Sequence, residues 1–326
     1  MNKKISLFLV SLLVSLPFWL GVNLLQTKAE NFLSAKNSAT ILNAQINPID
    51  QKISTSTPEI SCSLDNISAE SFLVVSVNEQ DNDKVLFEKN FSNELPLASI
   101  TKLMTYLVVS EFYRNEQDIV ITKEATQQAN TLNALLEGDT LKVSELIPIM
   151  LIESSNDAAF ALTKVIGEAG FIDLMNFRAK ELGLSNTYFY NPTGVDPEAR
   201  NMPQDQINYS TVHDIAKLTK NLIFNHPEFL KIVSQKEYPL YKEGKFVSTL
   251  KSTNKLLGEV PEIVGGKTGT TDRAGECLMV IMKLDPANND NYTIGVILNS
   301  KDRFNDMKTL LNCAKEEVSK TTNGVN

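Results

Sequence analysis

Histidine is almost missing from this chain. Only His213 and His226 occur in 326 residues, so a nucleophile activated by imidazole has at most two residues to draw on, and another base is expected for any hydrolytic chemistry. Cysteine is scarce too. Cys62, Cys277 and Cys313 are the only three, and none has the close spacing of a zinc site. Neither a metal centre nor a disulfide framework is expected, and no cofactor is called for. Positive charge is in the minority, with 31 Lys and Arg against 39 Asp and Glu and a formal net charge of -8. A surface of that sign repels phosphate, which sets nucleic acid aside as a partner. What the chain does have is apolar material. At 42% hydrophobic residues it can fill the core of at least one full-sized domain.

After Lys3 and Lys4 come 21 uncharged, mainly apolar residues, 5–25, long enough to cross a hydrocarbon layer of about 30 Å. A cleaved signal peptide has a shorter apolar region, about 7–15 residues, followed by a small-x-small site. Residues 1–25 are therefore read as a membrane signal-anchor, with a removed signal peptide as the alternative. Lys3 and Lys4 hold the N-terminus in the cytoplasm and place everything after Leu25 outside. In residues 26–68, 19 of 43 are Ser, Thr, Asn or Gln, which reads as a polar tether. Residues 69–319 form the expected folded domain, and 320–326 a tail.

Within that domain, residues 72–77 and 84–87 flank a polar turn and read as a β-hairpin. From Leu97 onwards apolar residues fall at 100, 103, 104, 107 and 108, the stripe of a buried helix face. Further helices are expected at about 143–152, 157–166, 171–182 and 210–224, with Ser144, Asp157 and Ser210 as N-caps. Strand patterns return at 263–268, 277–283 and 292–299, the last two separated by the turn-rich stretch at 286–290. A final helix carries Phe304, Met307, Leu310, Leu311, Ala314 and Val318 on one face. This order implies an α+β fold, in which N- and C-terminal segments share one antiparallel sheet flanked by helices, plus a mostly helical insert.

Ser99 and Lys102 stand three apart at the start of the first helix, so their side chains are neighbours. A lysine serves as base for such a serine only when neutral. Lowering its pKa from about 10.4 to about 7 takes on the order of 4–5 kcal/mol of unfavourable burial and nearby positive charge. Lys267 offers that charge. The spacing recurs at Ser248 and Lys251, so by itself it also describes an exposed pair. Ser154-Ser155-Asn156 lies between two helices where alternate side chains of a short turn face one cleft. Its plainer reading is a helix cap, and Ser76-Val77-Asn78 matches the same pattern. Gly265-Gly266-Lys267-Thr268-Gly269 occurs once. Its glycines admit another backbone closely, while the lysine and the hydroxyl project towards a carboxylate; a β-bulge with an exposed lysine is the alternative.

A serine-x-x-lysine, a serine-x-asparagine and a lysine-threonine-glycine element in this order are the motif set of β-lactamases and penicillin-binding proteins. The chain resembles the D-alanyl-D-alanine carboxypeptidases among them over about residues 69–314. The runs around Leu95–Lys102, Asn156–Ala159, Glu181–Gly183, Asn191–Gly194 and Thr253-Asn254 also match that family's wording. The resemblance implies a β-lactamase/transpeptidase-like fold with Ser99 as nucleophile, Lys102 as acylation base and Ser154 as proton relay. Asn156 would hold the substrate amide, Lys267 would position Ser154, and Thr268 would meet a terminal carboxylate. The backbone N–H groups of Ser99 and Thr270, just beyond Gly269, would form an oxyanion hole. Arg303 occupies the place of an arginine that would help bind the carboxylate; a surface role is equally open. Ser155 departs from the family's usual glycine.

The substrate so implied is the peptidoglycan stem peptide, with β-lactams as covalent inhibitors and a location at the bacterial cell membrane, catalytic domain on the extracytoplasmic side. Many relatives carry a C-terminal β-rich domain and an amphipathic helix, for which few residues follow Ala314, so the N-terminal segment is the expected membrane contact. D,D-endopeptidase or transpeptidase action, β-lactamase activity and a non-catalytic sensor are the alternatives. No Glu-x-x-Leu-Asn segment of a β-lactamase follows Ser154; Glu198-Ala-Arg-Asn201 only resembles it. Both histidines are expected at the surface, Cys277 and Cys313 as buried thiols or a pair, and Cys62 in the tether.

Overall fold

The computed structural model describes residues 62–128, 135–242, 244–284 and 291–323. The expected anchor, the tether as far as residue 61 and the turn at 286–290 lie outside them. Among the described residues no helix is long and apolar enough to cross a membrane.

Among the described residues, seven strands of at least six residues and seven helices of at least seven carry the architecture. The strands are β1 (Ser71–Val77), β2 (Lys84–Lys89), β3 (Glu237–Lys242), β4 (Lys245–Lys251), β5 (Ile263–Thr271), β6 (Gly275–Met282) and β7 (Tyr292–Ser300). The helices are α1 (Lys102–Phe112), α2 (Val143–Ile152), α3 (Asn156–Leu162), α4 (Glu168–Glu181), α5 (Val212–Asn225), α6 (Pro227–Val233) and α7 (Arg303–Asn323). The main sheet runs β2-β1-β7-β6-β5 with every pair antiparallel. The first two strands and the last three thus share one sheet, and the α+β reading holds.

Strand alternation sorts the core into two layers. Leu73, Val75 and Val77 of β1, with Cys277, Met279 and Ile281 of β6, face the helical insert. Phe72, Val74, Leu278, Val280 and Met282 face the other way, onto Met307, Leu310 and Ala314 of α7. Strands buried on both faces read as continuous apolar runs, as these do.

Three local expectations are corrected. Helix α2 starts without Ser144 as cap; the Glu145 carboxylate instead accepts from Lys142 N at 2.8 Å. Helix α3 is capped by Ser155, whose Oγ accepts from Ala158 N, and α5 by Thr211, whose Oγ1 accepts from Asp214 N. In α3 and α5 the N–H of the third helical residue falls within reach of a different oxygen from the one expected. Asp157 is buried and accepts from Leu135 N.

The tether ends earlier than expected. Cys62 forms a disulfide with Cys313 of α7, Cα–Cα 5.3 Å. Ile67 and Ala69 are buried, and Ser68 donates from both N and Oγ to Asp306 at 3.0 and 2.8 Å. Cys277 is the buried free thiol, so Cys277 and Cys313 do not pair. His226 is also corrected: it is half-buried at the end of α5, its Nδ1 3.1 Å from Ser110 Oγ, while His213 is exposed.

Candidate active site

Residues 98–101 form a single 3-10 turn leading into α1, which sets Ser99 one turn before Lys102. Ala98 carries φ +45° and Ser154 φ +62°, left-handed conformations that cost a non-glycine residue free energy and persist only where packing over-determines them. Both flank the cleft. Strand β5 supplies that packing. A Cβ at Gly269 would lie 2.9 Å from Ser99 N and 3.0 Å from Leu97 O, so the bare glycine lets the strand lie directly against the turn.

The other wall is the turn at 191–194. Asn191 Oδ1 accepts from Thr193 N, Thr193 Oγ1 and Gly194 N at 3.1, 3.0 and 2.7 Å. Asn208 Nδ2 donates to Thr101 Oγ1 and Asn191 O, and Thr105 Oγ1 donates to Pro192 O at 2.6 Å. At Gly194 the backbone has φ +84°, and a Cβ would meet Ala98 O at 1.8 Å. This clamp delivers Thr193 O to Lys102.

The three motifs converge. Lys102 is fully buried, and its Nζ lies 2.8 Å from Ser99 Oγ, 2.6 Å from Asn156 Oδ1 and 2.9 Å from Thr193 O. The two carbonyl oxygens can only accept, so they take two N–H bonds. The third partner is a hydroxyl, able to donate into a lone pair. A neutral amine satisfies all three, as does an ammonium donating to Ser99 Oγ, so burial decides between them. Burial, and secondarily the charge of Lys267, hold the Lys102 ammonium well below the ordinary lysine range.

Lys267, 1% exposed, donates to Ser154 Oγ at 2.7 Å and to Thr268 O at 2.9 Å. Burial first and the Arg303 guanidinium second bring its pKa down to about 7. Arg303 opens α7 and is not a surface group. Its Nη1 donates to Gly269 O at 2.7 Å and to Thr270 Oγ1. Ser99, Ser154, Asn156, Thr268, Gly269, Thr270 and Arg303 all line one cleft of about 180 Å3. The look-alikes lie elsewhere: Ser248 and Lys251 are exposed on β4, and Ser76 and Asn78 are at the end of β1. Two contributors escaped residue-by-residue reading. Thr193 acts through a backbone carbonyl, which no side-chain pattern reports, and Thr253 reaches the cleft only through the fold.

A serine held against a buried lysine of lowered pKa, with a second lysine on a serine across the cleft, defines the class of active-serine acyl-transfer sites. The D-alanyl-D-alanine carboxypeptidase model, peptidase family S11, matches residues 29–302, and the chain belongs to that family. It is 34% identical over 212 residues to D-alanyl-D-alanine carboxypeptidase DacF of Bacillus subtilis, covering 63% of this chain and 52% of that protein. To DacC of Escherichia coli it is 33% identical over 248 residues, covering 70% and 57%. The chain thus spans little more than half the length of these curated relatives. Among solved structures, penicillin-binding protein D2 of Listeria monocytogenes in its cefotaxime-bound form superposes with a TM-score of 0.65 at 31% identity, covering 76% of this chain and 97% of that one.

Proposed function

We propose that this protein is a serine-type D-Ala-D-Ala carboxypeptidase that removes the terminal D-alanine of peptidoglycan stem peptides. The observation that carries the reading is the set of three Lys102 partners, two acceptors and one hydroxyl, around a fully buried amine. In acylation Lys102 Nζ takes the Ser99 proton as Oγ bonds to the penultimate carbonyl carbon. The tetrahedral oxyanion rests on the N–H groups of Ser99 and Thr270. The C–N bond then breaks as Ser154 gives its proton to the leaving D-alanine amine and takes the former Ser99 proton from Lys102, which leaves that amine neutral again. Water cleaves the Ser99 ester with Lys102 as base again, returning the free serine. Asn156 holds the substrate amide, Lys267 holds Ser154, and Thr268 with Arg303 receives the terminal carboxylate.

β-Lactams would acylate the same Ser99. Ampicillin-bound and cefotaxime-bound forms of the Listeria relative support this. The 21 uncharged residues at 5–25 support a membrane anchor that places the domain on the extracytoplasmic side, with residues 26–61 as tether. The Cys62–Cys313 bond agrees with an oxidising compartment. A relative named D-alanyl-D-alanine endopeptidase, from Haemophilus influenzae, is 33% identical over 207 residues and favours cross-link cleavage as a second reading.

The test incubates the protein with a fluorescent penicillin, then with a peptide ending in D-Ala-D-Ala and with a cross-linked muropeptide dimer. Labelling lost in Ser99→Ala but kept in Ser248→Ala, with release of one D-alanine per peptide, is expected. Labelling of folded Ser99→Ala refutes the site, cleavage of the dimer alone moves the activity to endopeptidase, and penicillin turnover as fast as peptide turnover moves it to β-lactamase.

A further inference from the structure

Thr253 lies two residues beyond β4, in a run that matches the family's wording but carries no role in the chemistry above. Its Oγ1 lies 2.6 Å from Thr268 Oγ1, and both residues line the cleft with Arg303. Its position is fixed from behind. Thr253 N donates to Ile152 O, two residues before Ser154, at 3.2 Å, and the next residue is locked by Ser252 Oγ accepting from Asn254 N and Asn254 Oδ1 accepting from Leu256 N. The carbonyl oxygen of Thr268 is occupied by Lys267 Nζ, so the hydroxyl is what this residue offers a ligand.

Two hydroxyls in contact share one hydrogen between their oxygens, which leaves the second hydrogen free for a third partner. A carboxylate can only accept. When it occupies the cleft, the Thr253 O–H donates to Thr268 Oγ1 and the Thr268 O–H donates to the carboxylate, and each bond polarises the next. We infer that Thr253 is a positioning residue for the substrate's terminal carboxylate, acting through Thr268. This rests on the carboxypeptidase reading above and adds a specificity determinant to it. Because the carboxylate is bound alike in ground and transition states, the effect falls on KM and leaves kcat in place.

The experiment measures D-alanine release by the full chain from a peptide ending in D-Ala-D-Ala, comparing Thr253→Val, Thr253→Ala and Thr253→Ser with the parent. Losing the neutral Thr253–Thr268 bond that orients the donor should raise KM about fivefold in Val and Ala, with kcat unchanged within about twofold, and Ser should restore KM to within about twofold of the parent. If Val destabilises the fold, as a melting curve would show, Ala carries the test. An unchanged KM in the hydroxyl-free variants, a Ser variant as impaired as Val, or a fall in kcat at constant KM overturns the inference. Failure of the parent itself to release D-alanine or to form a penicilloyl ester would instead fail the carboxypeptidase reading.

Discussion

Replacing both Cys62 and Cys313 by serine in the full chain should lower its melting temperature by roughly 10–20 °C. The bond closes a loop of 251 residues. In the chain-entropy account, a cross-link over that separation removes enough freedom from the unfolded ensemble to stabilise the folded state by about 5.5 kcal/mol. For a domain of roughly this size each kcal/mol moves the midpoint by about 2–4 °C. The full effect is felt only if both cysteines sit in the cooperative unit. They do: Ile67 and Ala69 are buried, Ser68 is bonded to Asp306, and Glu70 N donates to Asn299 O at 3.0 Å. The assay is a thermal melt of parent and double variant, with thiols titrated in denaturant without reductant, where Cys277 alone should react. Three reactive thiols in the parent would show that the bond is absent. One thiol with melting curves coincident to about 2 °C would show that residues 62–68 fray independently of the domain.

Lys102→Arg keeps the charge but cannot deprotonate, so Ser99 acylation should fall roughly a thousandfold at neutral pH, read as the rate of penicillin labelling. Gly194→Ala places a Cβ against Ala98 O at a φ of +84° and should abolish labelling while lowering the melting temperature. The Lys267 pKa of about 7 against 10.5 for a free lysine has a definite sign in stability. Between those values the unfolded chain binds more protons, so this residue's penalty is full below pH 7 and shrinks as pH rises. Relative to Lys267→Met, the parent should therefore gain about 3 kcal/mol between pH 6 and pH 9, measured by denaturant unfolding at each pH; an equal pH dependence of the two proteins would refute the burial argument.

The main sheet was legible because alternation is a local signal. Phe72 and Val74 face one layer, and Leu73 and Val75 the other. The motif residues were legible because their chemistry is carried by side chains at fixed spacing. The β3/β4 hairpin was missed because most of its residues are exposed and show no apolar period. The disulfide was missed for a different reason. Cys62 sits among polar residues and its partner is 251 positions away, so only the fold brings them together. Left-handed φ at Ala98 and Ser154 also leaves no mark, because neither is a glycine.

Two lysines within one cleft need not compete for the same role. Burial disfavours a charge on either amine, and the charge of Lys267 lowers Lys102 further. The hydrogen-bond partners differ in the same sense. The partners of Lys102 accommodate a neutral amine whose lone pair faces Ser99, and the charge of Lys267 pushes Lys102 further down. Lys267 donates to Ser154 Oγ, and a hydroxyl oxygen that accepts from behind has its own hydrogen directed elsewhere. In the proposed mechanism Ser154 is thereby oriented to give its hydrogen to the open cleft, where the leaving amine would depart. The charge that adds to burial in lowering the Lys102 pKa would then also orient the proton donor, and loss of Lys267 should remove both effects at once.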